Sequence, residues 1–475
     1  MARVTDGACK VHYKRIPIST SFDALSETFS TRPLPSILGG NPAKANADGF
    51  SYWAAEPKEV FEFTSAQTDP FWQLQRVLSK YQLADADRKR TDLPLAGTFC
   101  GGWIGYFSYE LGRHIERLPE RAVDDLHMPL IRLCFYDRVI AYDHHADAFW
   151  LIALALPDDS EEPVEKMLAL ERLLAQSRQA RPAEPSRTRL EDVDAAAIRR
   201  NMTREDYFSA VERIKDYIRD GDVYQVNYSH RFEQPLAGRP MQLFHWQNRF
   251  NPSDYAAFID AGDFQIVSAS PELFITIRDG VIRTKPIKGT RPRIDASDPN
   301  AAAFNHQQFH DLLTNEKEQA ELNMIIDLER NDVARLCKPG TRRVVQPRTI
   351  ETYPTVFHAV ATVAGELRDD ITFPDVLKAM FPGGSITGAP KIRAMEIIDE
   401  LEPTARGVYT GAIGYLGLDG TVCLNIAIRT IIIKGDRAFV QTGGGIVADS
   451  DPQAEWDETI TKARALLAGI QAVSA

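Results

Sequence analysis

Residues 407–430, GVYTGAIGYLGLDGTVCLNIAIRT, constrain the fold more than any other stretch of the chain. Val422, Leu424, Ile426 and Ile428 alternate with Cys423, Asn425, Ala427 and Arg429, which is the period-two pattern of a half-buried strand. If Leu418-Asp419-Gly420 is a three-residue loop with Gly420 left-handed, this strand folds back on its predecessor and Tyr409 falls opposite Arg429. An arginine fork beside a phenol suits a substrate carboxylate. A one-residue slip in register would separate the two.

Elsewhere, strands and helices mix without βαβ regularity. LIRLCFYDRVIAYDHHADAFWLIALAL predicts two strands joined by a tight DHHAD turn. Thr203 caps a helix with Glu205 and Asp206 in its first turn and Tyr207, Val211, Ile214 and Ile218 along one stripe. Two long helices are predicted, over about 314–336 and about 452–470. These elements make a mixed α+β architecture, not a doubly wound sheet.

With 475 residues the chain is long enough for two or three domains. An N-terminal part (1–156) and a second part (201–472) are separated by a charged, proline-containing crossover (157–200) in which MLALERLLAQ looks helical. A net charge of −11 argues against a nucleic-acid surface, which needs surplus Lys and Arg. The five cysteines are scattered and show no CxxC spacing, as expected of reduced thiols. MARVTDGACKVHYKR has no apolar h-region and no run of eighteen apolar residues occurs, so the expected location is the cytoplasm, with no membrane contact.

Three further segments carry chemistry. In TKPIKGTRPR, Lys288 stands at a tight bend beside three more cations, and nearby positive charge favours the neutral, nucleophilic amine. A solvated basic loop is the plainer reading of the same residues. In NEKEQAELNMIIDLERND, Glu318 and Glu321 share a helix face on which carboxylates can hold a hard cation, although such faces are usually just wet. In QTGGGIVADSDPQAEWDETITKARALL, a strand (438–442) runs into Gly443–Gly445, whose bare backbone admits close approach. Asp451 then caps a helix with Glu455, Glu458 and Lys462 on one stripe and Trp456, Ile460, Ala463 and Leu467 on another. FPGGSITGAPK fails the phosphate-loop pattern, since no Ser or Thr follows Lys391.

Read in order, GDVYQVNYSHRF, SASPELF, PIKGTRPR, EKEQAELNMIIDLERND, FPGGSITGAPKIRAMEIIDELE, RGVYTGAIGY and GGGIVADSDPQAEWDET resemble the chorismate-utilising family over about 203–467. That family includes the large subunits of anthranilate synthase and aminodeoxychorismate synthase, and the isochorismate and salicylate synthases. The resemblance implies a largely antiparallel two-sheet sandwich flanked by helices. Lys288 stands where aminodeoxychorismate synthases carry Lys and anthranilate synthases carry Ala. Gln225 stands where isochorismate and salicylate synthases carry a water-activating lysine. The combination resembles the aminodeoxychorismate synthase branch, which serves 4-aminobenzoate and folate synthesis.

The resemblance further implies a Mg²⁺ cofactor held by Glu321 and Glu458, with Glu318 and Glu455 as outer carboxylates. Gly444, Gly445 and Lys462 would bind the ring-carboxylate end of chorismate, and Tyr409 and Arg429 its enolpyruvyl carboxylate. Lys288 is the implied covalent nucleophile and Glu272 the general acid and base, while His358, Thr387 and Gln225 support. For Glu272 an ordinary strand-end carboxylate, and for His358 a packed core histidine, remain open. Ammonia would come from a separate glutamine amidotransferase subunit, since Cys100 in TFCGGW lacks a G-x-C-x-G elbow. Anthranilate synthesis and a non-catalytic binding role are the alternatives. Two places depart from the family's tryptophan pocket: SILGG has Gly39 at the serine position, and NPSDYAAF has Asp254 after Ser253.

Overall fold

The computed structural model describes residues 8–17, 20–41, 49–84, 97–157, 159–186, 188, 190, 193, 198–294, 296, 298–353 and 356–474. Residues 1–7 of the N-terminal stretch, and 158, 187, 189, 191–192 and 194–197 of the crossover, lie outside the described residues. Two sheets face each other, of twelve and ten strands, and every strand ladder among the described residues is antiparallel. The first runs Lys10–Ile16, Ala148–Ala155, Arg138–Asp143, Phe50–Ala54, Ser36–Leu38, Tyr255–Asp260, Phe264–Ser270, Thr430–Lys434, Arg437–Ile446, Gln225–Pro235 and Gly388–Ala389. The second runs from Ile287–Pro292 at one edge, through Val356–Glu366, to Glu59–Phe63 at the other. This is the two-sheet α+β sandwich expected.

Strands from before residue 157 and after residue 200 are hydrogen-bonded together in both sheets. Ser36–Leu38 pairs with Tyr255–Asp260 in one, and Gly102–Phe107 with Ala412–Gly417 in the other. On the other side Gly102–Phe107 pairs with Ile131–Tyr136, and Gly105 permits that approach, because a methyl there would stand 1.9 Å from the Arg132 carbonyl oxygen.

The apolar run predicted as two strands forms three. Ile131–Tyr136 belongs to one sheet, Arg138–Asp143 and Ala148–Ala155 to the other. Asp137 marks the switch, and no Gly or Pro announces it. Its carboxylate is 1 % exposed and meets Lys166, itself fully buried, at 2.8 Å. Lys166 comes from the helix Pro163–Ser177 of the crossover, which begins with a capping box.

Adjacent apolar residues on these strands serve different cores, because successive side chains of a strand point to opposite faces. Leu38, Tyr52, Val139 and Ile152 join the core between the sheets. Ile37, Trp53, Ile140 and Leu151 join a second core beneath helices carrying Leu170, Phe244 and Leu467. With both faces covered, these strands read as unbroken apolar runs.

The predicted hairpin forms with its three-residue loop. Gly417 pairs back to Thr421, Gly420 is left-handed (φ 88°), and Ala412 faces Ile426. Helices Arg204–Arg219, Glu316–Ala334 and Pro452–Ser474 occupy the expected places. Thr203 closes a capping box, Asn315 caps the glutamate helix by accepting the Glu318 N–H at 2.9 Å, and Asp451 caps the last helix through the Ala454 N–H.

Candidate active site

The site forms where one edge of each sheet meets the other. Gln225–Pro235 lies near the end of the first sheet and Ile287–Pro292 at the end of the second. The ladder from Ile287–Pro292 to Val356–Glu366 shifts register between Ile287 and Thr290, with Gly289 left-handed at φ 93°. That bulge turns Lys288 inward while its cationic neighbours are occupied elsewhere. Lys285 pairs with Glu351 at 2.6 Å, Arg291 with Glu318 at 2.7 Å, and Arg293 donates to the Tyr353 carbonyl at 3.2 Å.

Lys288 Nζ lies 3.5 Å from where a methyl on Gly445 would stand, and Gln225 Nε2 lies 2.6 Å from the same point. The absent side chain therefore makes the room in which amine and amide meet. Both polar atoms of the Gln225 amide are buried, with no hydrogen-bond partner among the described residues. Such a group is costly unless a ligand or water completes it.

The Lys288 pKa is lowered, but the expectation that flanking cations do this is corrected. Burial is the largest cause, Glu321 and Glu272 oppose it, and the one cation that helps is Lys462 from the distant C-terminal helix. Glu272 is 4 % exposed. Burial raises its carboxyl, against the Ser385 hydroxyl that stands beside it, Lys288, and the Ile287 N–H at 3.4 Å.

Gly443–Gly445 form no turn. They continue the strand Arg437–Ile446 and pair with Ser229, Tyr228 and Asn227. On their other side Thr430–Lys434 reaches only as far as Val440, so the glycine edge faces the site without a strand beside it. A side chain at Gly444 would meet Glu455 Oε2 at 3.0 Å.

From the C-terminal helix, Lys462 bridges Glu458 at 2.7 Å and the Gly443 carbonyl at 2.9 Å. Lys462 first, and then Lys288, hold the Glu458 carboxyl low against its burial. Glu321 is raised by burial, with Glu318 and Glu458 adding like charge. Glu455 is raised by burial while accepting the Ser450 hydroxyl at 2.6 Å.

No three His, Cys, Asp or Glu groups converge on a metal position among the described residues. Glu318 pairs with Arg291, Glu455 accepts from Ser450 and Glu458 pairs with Lys462, while Glu321 makes no ion pair among the described residues. Two carboxylates, one of them already paired with Lys462, are hard oxygen donors of the kind that Mg²⁺ takes beside waters and substrate oxygens.

Tyr409 and Arg429 sit where the predicted register puts them, beyond the last ladder pair, but they are not a cross-strand pair. The chain leaves the ladder through left-handed Thr410 (φ 59°) and Arg429 (φ 48°). Burial raises the Tyr409 phenol, which faces Ser229 and lies against Arg406, 5.8 Å from its ring. Arg429 is lowered by burial and feels Glu272; its guanidinium makes no hydrogen bond among the described residues.

His358 is buried and its Nδ1 lies 2.8 Å from the Thr290 hydroxyl, two residues beyond Lys288. Thr387 is fully buried and donates to the Gly383 carbonyl at 3.0 Å, so it shapes the turn carrying Ser385. Sequence reasoning missed Ser385, Lys317 and Arg406. Lys317 acts on Glu321, Glu455 and Glu458. Arg406 is buried, forks onto Glu402 and donates to the carbonyls of Asn227 and Ile386. Cys100 is no nucleophile, because burial pushes its thiol up to about 12.

Residues 41–468 match the family model described as chorismate binding enzyme. The chain belongs to this family. It is 42% identical to aminodeoxychorismate synthase component 1 of Bacillus subtilis over 368 residues, covering 78% of this chain and 76% of that one. It is 41% identical to anthranilate synthase component 1 of Pseudomonas aeruginosa over 409 residues, covering 85% and 80%. The crystal structure of anthranilate synthase component I from Streptococcus pneumoniae superposes with a TM-score of 0.74 at 33% identity, covering 89% and 93%. As a chorismate-binding enzyme, the chain carries the bulge, the glycine edge and the two glutamates on four different elements. Its relatives divide between amination chemistries at nearly equal identity, so the site chemistry must separate them. No helix among the described residues is long and apolar enough to cross a membrane.

Proposed function

We propose that this chorismate-binding enzyme aminates chorismate at C4, giving 4-amino-4-deoxychorismate through a covalent intermediate on Lys288. The observation that carries the reading is the part-buried amine of Lys288, its pKa lowered chiefly by burial, set beside the Gly445 edge, the open Gln225 amide and Glu272. Only a neutral amine is a nucleophile, and burial shifts Lys288 toward that state.

Glu321 and Glu458 would hold Mg²⁺, which when bound supplies Lewis-acid polarisation of the ring carboxylate. Glu318 and Glu455 keep those two oriented from behind. Lys462 and the backbone at Gly444 and Gly445 receive the same end of the substrate, and Arg429 with Tyr409 the enolpyruvyl carboxylate. The Lys288 amine forms a bond to C2 as the ring double bond shifts and the C4–O bond breaks. Glu272 gives its proton to the departing hydroxyl, which leaves as water. Ammonia then bonds to C4, the C2–N bond breaks to release the lysine, and Glu272 takes back a proton from the new ammonium. His358 and Thr387 hold the bulge and the Ser385 turn, and Gln225 completes its amide with the incoming nitrogen.

A glutamine amidotransferase partner would supply the ammonia, in keeping with the component 1 names of the relatives. The test is product identification with purified chain, chorismate, Mg²⁺ and ammonium, expected to give 4-amino-4-deoxychorismate. Anthranilate would establish the C2 chemistry of the Pseudomonas relative instead, and no turnover a binding role. Without ammonium, intact-protein mass should rise by one dehydrated chorismate, and Lys288→Ala should abolish the adduct.

A further inference from the structure

Behind Glu272 lies a second buried carboxyl that the amination scheme does not use. Glu329 follows Glu321 by two turns on the glutamate helix and is 5 % exposed. Its Oε2 accepts the Thr284 hydroxyl at 2.8 Å. Thr284 lies on the strand Val281–Lys285, which leads through Pro286 to Lys288. The Glu329 Cγ stands 3.8 Å from where a methyl on Gly384 would be, and the next residue is Ser385, beside Glu272. The helix of Glu321, the strand into Lys288 and the turn against Glu272 therefore meet on one carboxyl.

The charged groups facing it are Glu272, Asp332 of its own helix, and Lys391 of the helix Lys391–Leu401. Lys391 is already held by Asp332 Oδ2 at 2.6 Å and the Met380 carbonyl at 3.2 Å. Glu329 is left with a hydroxyl donor and another carboxyl for company.

We propose that Glu329 is a positioning residue for Glu272: packed against the turn that carries Ser385 and tied to the strand that leads to Lys288, it keeps Glu272 able to donate a proton. The inference rests on the reading of Glu272 as proton donor. Burial pushes Glu329 up to about 8; the Thr284 hydroxyl and Lys391 pull it back, and the carboxyls of Glu272 and Asp332 add to the rise. Two acids coupled in this way titrate as a unit, so removing one charge lowers the upper step of the other.

Glu329→Gln keeps the shape and the Thr284 acceptor but cannot ionise. In this variant the alkaline limb of kcat/KM for chorismate, whichever aminated product forms, is expected to move to lower pH by about one unit. KM at pH 7 should stay within about twofold of wild type, since the side chain would not touch substrate. Carbon-13 spectra of carboxyl-labelled glutamate give a readout without substrate. The resonance lost in E329Q should titrate near pH 8, and the resonance lost in E272Q should titrate lower once Glu329 is replaced. A profile superimposable on wild type apart from a uniform loss at every pH, with an unmoved Glu272 midpoint, overturns the inference. If the spectra shift as expected but no C4-aminated product forms, the pair stands and the proposed function falls. Should E329Q fail to fold, Thr284→Val is expected to raise the Glu329 midpoint, and an unchanged midpoint counts against the inference.

Discussion

A single missing side chain shapes the reactive corner. Gly445 leaves the space into which Lys288 Nζ and the Gln225 amide project from opposite sheet edges. Both are ends of flexible side chains, so Gly445→Ala should displace them without breaking the strand. We expect kcat/KM to fall about 10²-fold, the usual consequence of misplacing reacting groups by an ångström, with thermal midpoint nearly unchanged. Steady-state kinetics beside a melting curve check this. The residue types at this corner were legible in PIKGT, YQVN and GGG, and the cause of the lysine's lowered pKa was not. Flanking cations are visible in a sequence, whereas the desolvation that dominates at Lys288 is a property of everything folded over it. Arg406 went unnoticed for the same reason, since its partners lie as far away in the chain as Asn227.

Among the elements, those governed by local rules were readable. Capping boxes and caps depend on residues three apart, and Thr203 and Asp451 perform as read, while Asn315, which was not read as a cap, obeys the same rule. Asn315→Ala should cost about 1 kcal/mol by chemical denaturation, because one N–H in the first turn of the glutamate helix loses its acceptor. The hairpin loop was equally local, and its register held. What failed there was the inference that equal register means a side-chain pair, since the backbone leaves the ladder before reaching Tyr409 and Arg429. A close approach between strands is likewise invisible until they are paired. Gly105→Ala would force a methyl against the Arg132 carbonyl, and a loss of about 3 kcal/mol or an insoluble product is expected, read by soluble yield and denaturation.

At the scale of the whole molecule, the passage from one sheet to the other at Asp137 is held by charge. Lys166 meets Asp137 at 2.8 Å and Asp159 at 2.6 Å, with Lys58 and Arg138 alongside. Burial alone would raise the Asp159 carboxyl, but the bonds from Lys166, the Glu161 N–H and Lys58 draw it down to about 2. Its folded pKa lies below the unfolded value of about 3.9, so the stability it contributes is present above about pH 4 and lost as pH falls toward 2. Lys166→Met removes the buried amine that both carboxylates share, leaving them only Lys58 and Arg138, and should cost about 3 kcal/mol at pH 7. The deficit against wild type should shrink across that acid window, and urea denaturation at stepped pH measures both.

The sequence by itself determined the α+β class, several helices with the Thr203 and Asp451 caps, the hairpin, the family and the candidate site residues. Each of these follows from periodicity, from contacts a few residues apart, or from motifs in order along the chain. Only the tertiary structure decided that an unbroken apolar run divides between two sheets at Asp137, that Lys288 is depressed by burial, and that Glu329 stands behind Glu272. These depend on burial and on partners remote in the chain, and a linear pattern carries neither the dielectric around a charge nor the distance to a residue on another strand.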